Sequence, residues 1–227
     1  MNHVVFLLDV DNTLLDNDRV TADLRRHLER EVGHERQLRY WALFEELRAE
    51  LGYADYLGAL QRYRIEYPRD PHLLTVSSFL INYPFANRLF PESLDVVDRL
   101  KQWGPVVILS DGDVVFQPRK IERSGLAEAV DRNVLIYVHK EHELEDVEKR
   151  YPADHYVVVD DKLRILTALK KSWGSKVTTV FAKQGHYAHD PQVLSQFPHA
   201  DVEVARIGDL VSYELHDLLT ARRPRTS

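Results

Sequence analysis

Five apolar residues run without a break from Val4 to Leu8, a pattern that suits a strand buried on both faces of a parallel sheet. Two carboxylates, Asp9 and Asp11, follow where that strand should end. Side chains alternate along a strand, so both can point the same way while Val10 turns toward the packing. After Leu15 the period becomes helical. Thr21 is a candidate cap for a helix carrying Leu24, Leu28 and Val32, which Gly33 suits as an end. A second helix is predicted over 35–51, with Leu38, Trp41, Leu43, Phe44, Leu47 and Leu51 on its apolar side. A third covers 53–66, stopped by Pro68, and a fourth lies between Pro71 and Tyr83, closed by Pro84. No strand signal appears from Asp16 to Asn87, and aromatic residues are dense there. For most of them the interior of a helical bundle is the simplest role.

From Pro91 onward, helix and strand alternate. Pro91 suits the first turn of a helix carrying Leu94, Val97 and Leu100 and ended by Gly104. Strands are predicted at 106–109, 134–138, 156–159, 177–181 and 202–205. Helices are predicted at 117–124, 141–150, 163–173 and 209–219, and the tail 222–227 reads as a frayed end. Strands alternating with helices argue for an α/β fold with a doubly wound parallel sheet. The domains expected are a core of residues 1–15 and 88–227 and a helical unit of residues 16–87.

Composition narrows the class. At 227 residues, 44% hydrophobic and 29% charged, the chain has ample material for a core. A net charge of −6 argues against a general nucleic-acid binder. Cysteine is absent, which removes disulfides, thiolate metal sites and cysteine nucleophiles. No apolar run approaches the roughly 18 residues of a membrane span, and no secretory leader pattern opens the chain. A cytoplasmic protein, monomer or homodimer, with no membrane or nucleic-acid partner, is the expectation.

Chemistry gathers at the strand ends: Asp9 and Asp11, Ser110, Lys140, and Asp160 with Asp161. In a parallel sheet these ends lie on one edge, where ligands bind in open α/β folds. The run V-V-F-L-L-D-V-D-N-T-L-L resembles the first motif of the haloacid dehalogenase-like hydrolase superfamily, D-x-D-x-T-L. That resemblance implies a Rossmann-like core, with Asp9 as nucleophile for a phosphoryl group. Asp11 is implied as general acid and base, giving its backbone carbonyl to Mg²⁺. Dehalogenating members usually lack the second Asp, so Asp11 favours phosphoryl chemistry. Residues 16–87 resemble the small helical cap that many members carry between their first and second motifs.

The same resemblance makes Ser110 the second motif, a hydroxyl that binds a phosphoryl oxygen, with the amides of Asp111 and Gly112 as further donors. Many relatives have Asn at the place of Asp111, so this chain brings an extra carboxylate. Lys140 matches the third motif, a cation that neutralises the nucleophile and the phosphate, although Glu141 stands where many relatives have Pro. Lys120 and Lys162 are rival candidates for that role. Asp160 and Asp161 resemble the fourth motif in its paired-acid form, metal ligands together with Asp9 and Asp11; Arg164 occupies the place of the second acid in relatives that space the pair more widely. The pairs His139/His142 and His186/His189 look superficially like metal ligands, but surface positions suit them better. The activity expected is a Mg²⁺-dependent phosphatase acting on a small phosphorylated metabolite through an aspartyl-phosphate. A phosphomutase with the same residues, or a regulatory module on an inactive fold, are the alternatives.

Overall fold

The structure, a computed structural model, describes residues 3–221; the tail 222–227 lies outside the described residues. Six strands form one parallel sheet: β1 (Val4–Leu8), β2 (Val106–Asp111), β3 (Val134–Tyr137), β4 (His155–Asp160), β5 (Val177–Ala182) and β6 (Val202–Val204), ordered β3-β2-β1-β4-β5-β6. In β1, Phe6 and Leu8 enter the core on one face, with Ile108 and Val159. Val5 and Leu7 enter the core on the other, with Val107 and Val158. Alternation sends successive residues to opposite faces, and here both faces are covered, so the run must be continuously apolar.

The helices are α1 (Asn17–Val32), α2 (His34–Leu51), α3 (Tyr56–Glu66), α4 (Leu73–Asn82), α5 (Ser93–Lys101), α6 (Phe116–Arg123), α7 (Leu126–Ala129), α8 (Leu144–Arg150), α9 (Leu163–Trp173), α10 (Pro191–Leu194) and α11 (Leu215–Thr220). From β1 the chain first builds outward to β2 and β3, then crosses back to lay β4 beside β1. The direction of winding therefore reverses between β1 and β4, and this reversal opens a crevice at the carboxyl ends of those two strands. No helix among the described residues is long and apolar enough to cross a membrane.

Several boundaries differ from expectation, each for a local reason. Helix α1 starts at Asn17, because Asp16 caps it by accepting the amide of Arg19. Thr21 thus lies inside the helix. Asn12, at φ 61°, folds back so that its side-chain oxygen accepts the amides of Asn17 and Asp18. Helix α3 begins at Tyr56, because Asp55 caps it through the Gly58 amide. Pro91 precedes α5 rather than opening it, and that helix ends at Lys101, before Gly104. The helix expected over 141–150 splits into a 3₁₀ turn at Lys140–His142 and α8. The closing helix splits as well: Asp209 accepts the Arg206 amide over a 3₁₀ turn, Ile207–Ser212, and Asp217 accepts the Glu214 amide at the start of α11.

Helices α1–α4 pack around aromatic side chains, as the density of rings predicts. Tyr63, Tyr40, Trp41, Phe44 and Tyr56 form a chain of neighbouring rings with centroids 4.8–6.5 Å apart. Tyr56 then meets Phe116 of α6 at 5.2 Å, tying these helices to the elements that follow β2. Arg119 and Arg123 of α6 donate to the carbonyls of Ile81 and Tyr83 at the end of α4.

Gly104 sits tight against the start of β1: an added methyl would lie 2.1 Å from the Val4 carbonyl oxygen. Because that oxygen belongs to the central strand, it cannot move aside. Gly104→Ala is expected to lower the urea midpoint by an amount equal to about 1–3 kcal/mol, with unchanged slope. A midpoint equal to the parent's would show that the contact is relieved at no cost.

Candidate active site

Two of the strand-end carboxylates, Asp9 and Asp160, converge on the ammonium of a third strand-end residue, Lys140. Asp9 follows β1 directly and is buried, as are Lys140, just after β3, and Asp160, the last residue of β4. Lys140 Nζ donates to Asp9 Oδ1 at 2.5 Å and to the Leu109 carbonyl at 3.2 Å. It also lies 2.7 Å from Asp160 Oδ2, an ion pair that lacks hydrogen-bond alignment. Burial opposes the charge on Lys140, but Asp160 and Asp9 outweigh it and hold the ammonium protonated well above its usual range. Burial likewise pushes the carboxyl of Asp160 up, against the pull of Lys140.

Asp161 is different. Both of its carboxylate oxygens are buried and accept no hydrogen bond. Burial pushes its carboxyl well up, with Lys162 opposing. Carboxylate oxygens of Asp9, Asp160 and Asp161 lie within 4.8 Å of one another, the only His, Asp and Glu group among the described residues placed to hold a metal ion. The histidine pairs take no part in that group. His139 and His142 face each other with ring centroids 5.5 Å apart, and His186 binds Asp18.

Asp11 takes other partners. Its carboxylate pairs with Lys120 Nζ at 2.6 Å and receives Gln117 Nε2 at 3.4 Å. Lys120 is almost wholly buried and also donates to Asn17 Oδ1 at 3.0 Å. Lys120 is therefore no rival to Lys140 but the second cation of the site. Gln117 links the two halves, because its amide also donates to Ser110 Oγ at 2.9 Å. One signal in the sequence pointed to it: Gln117 and Lys120 are three residues apart on a helix and so share a face. Gly112 makes room for that face, since a methyl there would lie 2.7 Å from Gln117 Cβ.

The residues expected to form the second motif take the following places. Ser110 is buried at the end of β2, beside Asp11 through Gln117. The amide of Gly112 does not serve as a free donor, because it binds the Tyr137 carbonyl at 3.0 Å. Pairing between β2 and β3 simply runs past the end of the strand. Asp111 turns its Oδ1 to the Lys140 amide at 2.7 Å, so the extra carboxylate fixes the backbone that carries Lys140. Burial raises its carboxyl, with Lys140 opposing. The Pro-to-Glu departure beside Lys140 finds a partner in the other departure, since Glu141 pairs with Arg164 of α9. Next to Gly112, an apolar cavity of about 940 Å³ opens between α3, α4 and the loop Asp113–Val115, lined by Tyr53, Leu57 and Leu73 among others.

Known proteins carry the same fold and family features. The family model of haloacid dehalogenase-like hydrolases matches residues 4–172. A haloacid dehalogenase-like hydrolase from Burkholderia xenovorans LB400 has a crystal structure that is 63% identical, covering 94% of this chain and 100% of that one, with a TM-score of 0.90. A magnesium-bound HAD-hydrolase of Bacillus subtilis is 14% identical, over 97% and 100% of the two chains, with a TM-score of 0.60. The L-2-haloacid dehalogenase of Xanthobacter autotrophicus is 18% identical, over 93% and 97%, also with a TM-score of 0.60; these two likenesses show the fold alone. No curated protein matches the sequence. The chain belongs to the haloacid dehalogenase-like hydrolases.

The ion cluster makes a stability prediction of opposite sign at neighbouring residues. Lys140→Met leaves two buried carboxylates without their cation and is expected to cost about 3–5 kcal/mol at pH 7.5 in denaturant titrations. Asp161→Asn removes a buried charge that has no hydrogen-bond partner, and is expected to be neutral or stabilising in metal-free buffer. A large loss of stability in Asp161→Asn would contradict this reading of the cluster.

Proposed function

We propose that this hydrolase is a Mg²⁺-dependent phosphatase, acting on a small phosphomonoester through an aspartyl-phosphate on Asp9. The observation that carries the reading is Asp11 and its setting. An alkoxide leaving group needs a proton, whereas a departing halide does not, so a second carboxyl group, held by Lys120 and Gln117 beside the nucleophile and protonated when the ester bond breaks, suits ester cleavage.

Of the two Asp9 oxygens, Oδ1 is committed to Lys140, while Oδ2 takes only the long 3.3 Å contact from the Thr13 hydroxyl. Oδ2 is thus the nucleophile. It forms a bond to phosphorus as the phosphorus–oxygen ester bond breaks, and the leaving oxygen takes the proton of Asp11. Asp11 then accepts a proton from water, whose oxygen bonds to phosphorus and displaces Asp9. Lys140 and the Ser110 hydroxyl, turned from the Asp111 carbonyl it meets at 3.3 Å, offset charge on the equatorial oxygens. The donor set suits a hard divalent cation, because buried carboxylates cluster and those of Asp161 lack any other partner. Asp9, Asp160 and Asp161 would hold Mg²⁺, with the Asp11 backbone carbonyl as the family resemblance implies. When bound, the ion supplies Lewis-acid stabilisation of the phosphoryl oxygens.

Residues 16–87 act in this reading as a cap over a core of residues 1–15 and 88–227. The cap shields the cleft from bulk solvent, leaving room for the attacking water, and shapes the space for the leaving group. Its contacts on two sides of the cleft, Tyr56 against Phe116 and Arg48 against the Tyr187 hydroxyl, support that role.

Hydrolysis of an aryl phosphate is expected to require Mg²⁺, stop with chelator and vanish in Asp9→Asn, while Asp11→Asn lowers kcat by about 10²–10⁴. Release of halide from a 2-haloacid, with no turnover of any phosphomonoester, would overturn the proposal. Melting supplies a second check. Burial raises the Asp160 and Asp161 carboxyls, so their contribution to stability is present at low pH and is lost as pH rises through the raised values. Mg²⁺ that neutralises them should therefore raise Tm more at pH 8 than at pH 5; at a hundredfold excess over Kd the shift at pH 8 is about 5–10 °C. An equal shift at both pH values would contradict binding at these acids.

A further inference from the structure

Lys120 is almost wholly buried, while the Asp11 side chain it pairs with stays 26% exposed. Its ammonium has two oxygen acceptors among the described residues, Asp11 Oδ1 at 2.6 Å and Asn17 Oδ1 at 3.0 Å. The Phe116 ring lies beside it, with its centre 5.2 Å away. A lysine carries its charge on a flexible four-carbon stem, so one acceptor alone does not aim it. Asn17 is the second anchor.

Asn17 is itself held from two sides. Its backbone amide donates to Asn12 Oδ1 at 3.0 Å, and its side-chain Nδ2 donates to the Tyr56 hydroxyl at 3.4 Å. That hydroxyl also meets the Thr21 hydroxyl at 3.0 Å. Tyr56 is fixed in turn, with its ring buried between Phe44 and Phe116 and its carbonyl accepting the Tyr40 hydroxyl at 2.9 Å. A chain of polar contacts therefore runs from Thr21 and Tyr56 through Asn17 and Lys120 to Asp11.

We propose that Asn17 is a positioning residue for proton transfer at Asp11, acting through Lys120 and backed by the Tyr56 hydroxyl. This rests on the phosphatase reading and adds to it the device that aims the acid. Lys120 commits Oδ1 of Asp11, whereas Oδ2 receives only the 3.4 Å contact from Gln117. Oδ2 is thus the oxygen that carries the proton. It passes that proton to the leaving oxygen as the phosphorus–oxygen bond breaks, while Lys120 keeps its own. Without the Asn17 side chain, a buried N–H of Lys120 loses its acceptor, and the ammonium no longer fixes the direction of the Asp11 carboxyl. Displacing a reacting group by about 1 Å can cost about a hundredfold in rate.

Two esters of similar size, differing in whether the leaving group needs a proton, test this in Mg²⁺ buffer. The p-nitrophenolate ion departs without one, whereas the alkoxide of benzyl alcohol does not. In Asn17→Ala, kcat/KM for benzyl phosphate is expected to fall at least about tenfold further than kcat/KM for p-nitrophenyl phosphate. Tyr56→Phe should move the same ratio in the same direction by about threefold. A merely structural loss would lower both esters alike. A ratio unchanged in Asn17→Ala or, should that variant not fold, in Tyr56→Phe would overturn the positioning role and leave the phosphatase reading intact. A parent enzyme that cleaves p-nitrophenyl phosphate but not benzyl phosphate would do the same, because no acid would be acting. Failure of the parent on both esters would overturn the phosphatase reading and the positioning role with it.

Discussion

The constraint on which the site depends is a lysine shared by two buried carboxylates. Asp9 and Asp160 stand at the ends of adjacent strands, and two anions so close in a low-dielectric interior would repel strongly. Lys140 resolves this, and the fold is arranged to deliver it. Strand β3 stops short at Tyr137, a 3₁₀ turn begins at Lys140, and Asp111 grips the Lys140 amide. The same ammonium that makes the carboxylate cluster tolerable is, in the proposed reaction, the charge that balances the phosphoryl group. Structural and chemical demands on Lys140 therefore coincide.

Around that cluster, charge is divided into compartments. Lys140 pairs with Asp9 and Asp160, Lys120 pairs with Asp11, and Lys162 lies near the Tyr187 ring. In the proposed mechanism, keeping Asp11 on its own cation sets the acid and base group apart from Asp9, although the two residues are only two apart in sequence. Gln117 joins the compartments by touching both Asp11 and Ser110. Helix α6 is thus as much a part of the site as the strands.

The sheet was legible in the sequence, and so was the gathering of polar residues at its strand ends. Continuous apolar runs ending in polar residues marked β1, β2 and β4, because a doubly covered strand admits nothing else. Asp9, Ser110, Lys140 and Asp160 fell at those ends, and the structure brings them to one crevice. What sequence alone misplaced were roles set by partners distant in the chain. Lys120 reads as one more charge on an amphipathic helix, and only its distant partners Asp11 and Asn17 reveal that it turns into the site. The Gly112 amide looked free for a ligand, but strand pairing with Tyr137 consumes it. Helix starts slipped where a side chain chose the cap, as Asp16 did in place of Thr21, and the final helix divided because two acids each capped a separate turn. These are competitions between nearby hydrogen-bond partners, which periodicity does not register.

The fate of oxygen in a single turnover in ¹⁸O-water, followed by mass spectrometry of the peptide carrying Asp9, tests the central claim most directly. Attack of Asp9 on phosphorus, then of water on phosphorus, predicts a transient phosphoryl adduct on Asp9 and ¹⁸O in the released phosphate, with none in the Asp9 carboxylate. Label in the Asp9 carboxylate would mean that water attacked an acyl carbon, as displacement at carbon requires, and would contradict the account.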